Sequence, residues 1–368
     1  MIIIVSKFAP PEHSGSGKRM YSFFKYLMSN GYKAKFVTNT LVADDNVIII
    51  KKYSFENYLW KISPIAVFLS SFIQIAFRFL AGNFKSTDSI RAVWLVSVNP
   101  MAAAAGVLFS LAGYRIITQN VLMDSDNPGR RPSGKLRIAH KLRTLQYYVT
   151  DTVTSNSPGL YEISKAHHPN CIMIPNPVDM PDTRIRNKPR SIPNVLSIGR
   201  LCHRKGTDIA FKTINIVHRS NPEVKFTFVG PYDETDIRVW KIYETCKNIN
   251  RDNVCFAGYQ TDTRSWYMNA DIFFFPSRNE GLPSVVIEAM SFGIPVVAKK
   301  LEGSTDYIFD NGYPLLINSE YPEKYADEIL KLISNTRFYK LIARYLHLNL
   351  SRFDKEKIYK SYIKLCIR

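Results

Sequence analysis

Two glutamates, Glu280 and Glu288, stand eight positions apart in PSRNEGLPSVVIEAMSFGIPVV, residues 276–297, on either side of a Gly-Leu-Pro-Ser turn. Paired carboxylates invite an acid–base reading, but the residues between them point elsewhere. Ser284 has the side chain of a good N-cap for a helix over VVIEAMSFG, which leaves Glu280 in the preceding loop and Glu288 about one turn into the helix. A helix start near Ser284, Val285 and Val286 offers amides without intrahelical acceptors, a ready seat for a phosphate. Carboxylates flanking a phosphate do not bind it. They accept hydrogen bonds from hydroxyls beside it, a sugar on one side and a ribose on the other. The local alternatives are a helix-dipole partner for Glu288 and a solvated loop acid for Glu280.

Cations of matching use occur upstream, in SIGRLCHRKGTDIAF. There a strand ends at Gly199, Arg200 follows at its carboxyl edge, and Lys205-Gly206 precedes the next helix. Ligands of open α/β sheets bind outside the carboxyl ends of strands, so both cations could hold a diphosphate and stabilise it as it leaves with added negative charge. The other reading is a solvated pair capping a loop. A second glycine loop, FAPPEHSGSGKRM, places Gly15 and Gly17 before a helix. It is neither a Walker A loop, since Glu12 and Arg19 stand where glycine and Ser/Thr are needed, nor a dinucleotide fingerprint, since Met20 replaces the third small residue. What remains is a glycine turn at a helix N-terminus, open to an anion or a sugar.

The elements that must position these residues form a repeated rhythm. β-Branched runs alternate with helical stretches: IIIVS, a helix over about 17–30, AKFVTN, VIIIKK, a helix over 58–82, AVWLVSV, an Ala-rich helix, RIITQN, a basic helix and TVTSN. After the proline-rich stretch 174–194 the alternation restarts with NVLSIGR, KFTFVG, NVCFAG, DIFFFPS, IPVVA and YPLLIN. This predicts an α/β chain of two Rossmann-like domains with parallel sheets facing across a cleft. The predicted division is an N-terminal domain over 1–178, a linker over 179–192, a C-terminal domain over 193–350, and a last helix over 351–368 free to cross back to the first domain.

The 368 residues carry a formal net charge of +18, and the excess lies in the first half: residues 1–190 hold 24 Lys and Arg against 11 Asp and Glu. Such a field attracts polyanions, whether nucleic acid, an anionic membrane or phosphorylated substrates. No nucleic-acid-binding motif accompanies the charge. Five cysteines at scattered positions, without a C-x-x-C pair, suit unpaired thiols in a reducing compartment. The opening MIIIVSKFAPP lacks a basic n-region and reads as a strand, and the apolar run 64–82 is broken by Ser70, Ser71, Gln74 and Arg78. A cytoplasmic protein, peripheral on the inner membrane face, is expected.

GRLCHRKG, FTFVG, NVCFAGY, PSRNEGLPSVVIEAMSFGIPVVA and EGSTDYI together resemble the donor domain of the retaining GT-B glycosyltransferases of family 4, the group 1 enzymes. Upstream, HSGSGKRM, SNSPGL and IPNPVD resemble that family's first loop, its end-of-domain serine turn and its Asn-Gly-Val-Asp segment. The resemblance implies that Arg200 and Lys205 hold the diphosphate, Glu280 the donor sugar, the amides around Ser284 and Val285 the distal phosphate, and Glu288 the ribose. It further implies that Gly199, Gly230, Tyr259, Gly281 and Leu282 line the donor pocket, with Gly15 and Gly17 facing the donor from the other domain. By the same resemblance a hexose or N-acetylhexosamine passes from a UDP- or GDP-linked donor to a glycan or polyprenyl-diphosphate-linked acceptor in surface polysaccharide assembly. Configuration is retained, no cofactor or metal is required, and nucleic acid is not a partner.

One departure concerns the first domain. Where many relatives carry a histidine after the fifth strand, TQNVLMDSDNPGRR offers Asn120, Asp124 and Asp126, with Arg130 and Arg131 beyond them as acceptor-side candidates. Asp124 and Asp126 imitate a D-x-D metal motif able to ligate Mn or Mg, but outside the fold that uses it; a polar acceptor loop is the other reading. Residues 129–143 hold six Lys and Arg and no acid. With the aromatic helix before them they suit an anionic leaflet, or a solvated face beside a packed crossover helix. A non-catalytic nucleotide-sugar-binding protein is the alternative to an enzyme, because every strong residue here is a binding residue.

Overall fold

A computed structural model describes residues 1–10, 15–50, 64–84, 89–120, 141–142, 144–181, 187–232, 236, 244, 252–310 and 312–367. The chain divides into two compact units, Met1–Asn176 with Glu356–Arg368, and Pro177–Lys355. Each has its own sheet, and every paired strand runs parallel to its neighbours.

The first unit runs β1 (Ile2–Ser6), α1 (Gly15–Ser29), β2 (Ala34–Thr38), β3 (Val47–Ile49), α2 (Pro64–Leu80), β4 (Ala92–Val96), α3 (Pro100–Leu111), β5 (Arg115–Asn120), β6 (Thr152–Ser155), α4 (Pro158–Lys165) and β7 (Cys171–Met173). Its sheet has the order β3-β2-β1-β4-β5-β6-β7. β1 and β4 are buried at every position, which is why they read as unbroken apolar runs rather than alternations. Helix α1 begins at Gly15, two residues earlier than predicted. Gly17 therefore lies in its first turn, where a Cβ would come 2.4 Å from the Phe8 carbonyl oxygen. Its missing side chain lets the helix start lie against the beginning of the loop that leaves β1. β7 is a strand that the apolar pattern did not announce, since its short run abuts the proline-rich stretch.

The last helix, Lys355–Ile367, completes the core of this first unit. Tyr362 lies 4.8 Å from Trp94 and 5.1 Å from Phe23, ring centre to ring centre, and Tyr26 donates to Glu356 at 2.8 Å. The Trp94 indole donates to Cys366 Sγ at 3.1 Å.

The second unit runs β8 (Asn194–Ile198), a 3-10 turn (His203–Lys205), α5 (Thr207–Ser220), β9 (Lys225–Val229), β10 (Val254–Gly258), α6 (Arg264–Met268), β11 (Ile272–Phe275), α7 (Ser284–Ser291), β12 (Val296–Lys299), α8 (Thr305–Phe309), β13 (Leu316–Ile317), α9 (Pro322–Ser334) and α10 (Thr336–Leu348). Its sheet has the order β10-β9-β8-β11-β12-β13, so the strand order reverses between β8 and β11. That reversal opens a crevice at the carboxyl ends of the two central strands. Residues of the proline-rich stretch belong here already: the Val178 amide donates to the Phe353 carbonyl at 2.9 Å.

Candidate functional site

The site assembles at the carboxyl edge of the second sheet. β11 is entirely buried, and the chain leaving it turns through Pro276 and Ser277 into the loop that bears Glu280. Opposite, the 3-10 turn after β8 carries Lys205 and ends at Gly206, which adopts φ +72°; a Cβ there would lie 2.1 Å from the Pro276 carbonyl oxygen. Only glycine permits both the left-handed backbone and that approach. The approach brings the Lys205 ammonium to 2.5 Å from Glu280 Oε1, which also accepts from the Ser277 hydroxyl at 2.8 Å. The Lys205 ammonium lies 5.7 Å from the centre of the Phe275 ring. A recess beside it is lined by Gly199, Arg200, Lys205, Thr207, Phe228 and Phe275. The structure thus brings Arg200 and Lys205 to one recess and joins Lys205 directly to Glu280.

The floor next to this pair is made of backbone. Gly199, Gly230 and Gly258 end three neighbouring strands, the Gly199 amide donating to the Val229 carbonyl and the Gly230 amide to the Gly258 carbonyl at 2.7 Å. At Gly230, with φ +144°, a Cβ would stand 2.1 Å from the Gly199 carbonyl oxygen. The glycines therefore let adjacent loops touch and keep side chains off the surface. Tyr259, just beyond, is exposed.

Helix α7 corrects one expectation. Ser284 is its first residue and Pro283 flanks it, with no side-chain cap, so Ser284 is not the N-cap. The proline ring holds φ at −73°, the backbone there is extended with ψ 102°, and the Pro283 carbonyl accepts from Val286 N at 3.1 Å. Val286 is thereby removed from the set of phosphate-facing amides, and the candidates narrow to Ser284 and Val285. Leu282 is buried in the hydrophobic core and Gly281 is buried beside it, so the Leu282 side chain serves packing rather than facing the recess.

Glu288 stands one turn into α7 and accepts from the Tyr267 hydroxyl at 2.9 Å. Tyr267 lies on α6, is buried, and stacks on Phe292 at 5.3 Å. Burial first, and the Glu288 charge second, push its hydroxyl well above the ordinary tyrosine value, so it remains a donor to that carboxylate. Sequence reading missed Tyr267. A tyrosine in a five-residue helix carries no signal of a partner 21 positions away.

Arg278 was missed as well. Its guanidinium grips Asp208 with both terminal nitrogens, at 2.6 and 2.8 Å, while Nε donates to Glu320 at 3.0 Å and Nη1 to the His203 carbonyl at 2.6 Å. Glu320 is also paired with Lys299. The Arg278 amide bonds the Arg204 carbonyl at 2.8 Å, and Arg204 returns a bond to the Asn279 carbonyl at 2.9 Å. The turn bearing Lys205 and the loop bearing Glu280 are thus laced together. Burial alone would raise the Asp208 carboxyl, but the hydrogen bonds and charge of Arg278 outweigh it and hold it below its ordinary value. Bonding to Lys299 holds Glu320 down, with Arg278 adding to the effect.

The remaining candidates lie in the first unit. Gly15 opens α1, where an added Cβ would lie in ordinary contact with Arg19 Nη1 at 3.9 Å, whereas Gly17 is packed as described. Asn120 ends β5 and is buried, donating to the Ser164 hydroxyl on α4 at 3.1 Å, so its amide serves the packing of that helix. Asp124, Asp126, Arg130 and Arg131 lie outside the described residues.

Known proteins bear on this geometry. Residues 192–335 match the family model described as glycosyl transferases group 1. This segment is a group 1 glycosyltransferase domain. It spans the glycine floor, the lysine turn, and both glutamates. An uncharacterized glycosyltransferase of Haemophilus influenzae is 32% identical over 170 residues, 43% of this chain and 45% of the relative. The lipopolysaccharide core biosynthesis glycosyltransferase LpsE of Rhizobium meliloti is 27% identical over 225 residues, 59% of this chain and 64% of LpsE. The match thus spans less than two thirds of either relative. Among solved structures, Anabaena HepE in complex with UDP and glucose superposes with a TM-score of 0.74 at 18% identity, over 99% of this chain and 98% of HepE. The group 1 domain therefore sits in a chain with the two-sheet GT-B fold.

Proposed function

We propose that this chain is a retaining glycosyltransferase that moves a hexose or N-acetylhexosamine from a UDP- or GDP-linked donor to a lipid-linked glycan acceptor, in bacterial surface polysaccharide assembly on the cytoplasmic side of the membrane. The observation that carries the reading is the Lys205–Glu280 contact beside the glycine floor and the start of α7. Lys205 and Arg200 would neutralise the diphosphate as the bond to the sugar breaks, the stage at which charge on the leaving oxygen grows. Glu280 would hold sugar hydroxyls, and Glu288, fixed by Tyr267, the ribose.

Retention by front-face attack needs no protein nucleophile: the acceptor oxygen bonds the anomeric carbon, the phosphate oxygen departs, and the proton passes from acceptor to phosphate. No metal is required in this reading, since the two cations carry the charge. The names of LpsE and of HepE bound to UDP and glucose support the substrate class.

A thermal-shift screen with UDP-, GDP- and ADP-sugars tests it. The matching base raises the midpoint by mass action, and release of the free nucleotide diphosphate with a membrane extract as acceptor then reports turnover, undiminished by EDTA. Binding without turnover would leave a nucleotide-sugar-binding protein in place of an enzyme.

A further inference from the structure

The amino edge of the first sheet carries a hollow of about 700 Å³, a size that suits a small molecule. It follows the starts of four neighbouring strands: Arg91 precedes β4, Arg115 opens β5, Asp151 precedes β6 and Asn170 precedes β7. Backbone bonding fixes that row. The Arg115 amide donates to the Arg91 carbonyl at 2.9 Å, the Asp151 amide to the Ile116 carbonyl at 2.9 Å, and the Asn170 side-chain amide to the Asp151 carbonyl at 3.3 Å. One Asp151 carboxylate oxygen accepts from the Ile116 amide at 2.7 Å, which orients the group. The last turn of the final helix, at Cys366, forms another wall.

Arg115 gives the hollow its chemistry. It is half-buried, and its Nη2 donates to the Thr152 hydroxyl at 3.2 Å. Its Nε is buried without a hydrogen-bond partner, and among the described residues no carboxylate pairs with its charge. A buried donor without an acceptor costs free energy, and a guanidinium is best satisfied by a planar pair of oxygens on a phosphate or carboxylate. Arg91, on the adjacent strand, brings a second cation to the same end of the row. Asp151 and Asn170 stand at the other end, where a carboxylate repels an anion but accepts from a hydroxyl. The lining is therefore polarised, with phosphate chemistry at one end and sugar chemistry at the other.

We infer that this hollow binds a sugar phosphate monoester, its phosphate on Arg91 and Arg115 and its hydroxyls on Asp151 and Asn170. It lies apart from the loops that carry Gly15 and Asn120: β5 runs from Arg115 at this edge to Asn120 at the carboxyl edge, roughly 17 Å of strand. The inference does not rest on the sugar-transfer reading, because binding here involves neither the lysine turn nor the glutamates.

Calorimetric titration of the full chain with glucose 6-phosphate, inorganic phosphate and glucose tests it. Glucose 6-phosphate binds, and the other two, each offering one part of the ligand, bind at least about tenfold more weakly. Arg115→Gln weakens glucose 6-phosphate binding about tenfold or more, as loss of a charge-assisted hydrogen bond does. Its thermal midpoint stays near that of the wild type, because the substitution also removes the buried, unpartnered Nε. Should that variant fail to fold, Arg91→Gln, at an exposed residue, gives the same loss. Lys205→Ala, which removes a cation from the recess of the second unit, leaves this binding intact. Affinity unchanged in the arginine variants overturns the inference, as does a loss confined to Lys205→Ala, which assigns the phosphate to the second unit. So does inorganic phosphate that binds as tightly as glucose 6-phosphate, or no binding of glucose 6-phosphate at all.

Discussion

The Lys205 ammonium and the Glu280 carboxylate, 75 positions apart in sequence, meet at 2.5 Å with their side chains 19% and 13% exposed. Each is poised where the other sets its direction. Replacing Glu280 by Ala is expected to reduce sugar transfer to background while nucleotide diphosphate binding survives. Replacing Lys205 by Ala should lower kcat by about 100-fold, the usual cost of removing one donor from developing negative charge. Steady-state kinetics on both variants checks the split, and transfer undiminished in Glu280→Ala would remove that residue from the site.

Tyr267→Phe keeps the ring on Phe292 and deletes the hydroxyl that fixes Glu288. Loss of that hydrogen bond to a charged group costs about 1.5–3 kcal/mol, part of it in stability and part in ribose affinity. Titration calorimetry with the nucleotide diphosphate should show weaker binding, with the base preference unchanged.

Arg278 bonds Asp208, Glu320 and the His203 carbonyl and so ties together the segments that carry the Lys205–Glu280 pair. Arg278→Ala would strand Asp208 without its bidentate partner; because the pair is only part-buried, the loss falls below the roughly 3–5 kcal/mol of a fully buried pair. Denaturant melts give the stability loss. Arg278→Lys, which keeps the charge but not the fork, should recover part of the stability and less of kcat. Equal recovery of both would reduce Arg278 to a purely structural role.

Asp208 and Glu320 have carboxyls held below their ordinary values in the folded chain. A group depressed on folding adds stability that is complete above its unfolded value, near pH 4, and is lost as pH falls through the folded one. The melting midpoint should therefore be insensitive to these groups from neutrality to about pH 5 and fall below about pH 4. Asp208→Asn should melt lower at neutral pH and lose less on acidification.

Cys366 is buried and bonded by the Trp94 indole, and burial pushes its thiol up to about 12. Cys255 is exposed on β10. At mild alkaline pH a maleimide should label Cys255 quickly and leave Cys366 unmodified until the chain unfolds, as peptide mapping would record. Early labelling of Cys366 would mean that the last helix leaves the first unit readily.

Much of this was legible in the residues themselves. The buried strands β1, β4 and β11 announced themselves as apolar runs, because a parallel strand covered on both faces cannot alternate. The glutamates at 280 and 288 could be placed one in a loop and one a turn into a helix, because helix starts obey local rules. Those rules erred by one position at Ser284, where Pro283 decides the entry through its own ring. β7 escaped because its short apolar run abuts the proline-rich stretch and reads as part of it.

What the sequence by itself determined, then, were local features: strands, helices, the positions of candidate binding residues along the chain, and the resemblance that joins them. Only the tertiary structure decided which side chains meet. Lys205 reaches Glu280 because Gly206 lets one loop lie against Pro276, Glu288 is held by a tyrosine from another helix, and Arg278 laces two loops through Asp208. Arg91 and Arg115 became neighbours only once β4 was seen paired with β5. Periodicity reports which residues share a face. Which face is buried depends on partners distant in the chain, and those are chosen by packing.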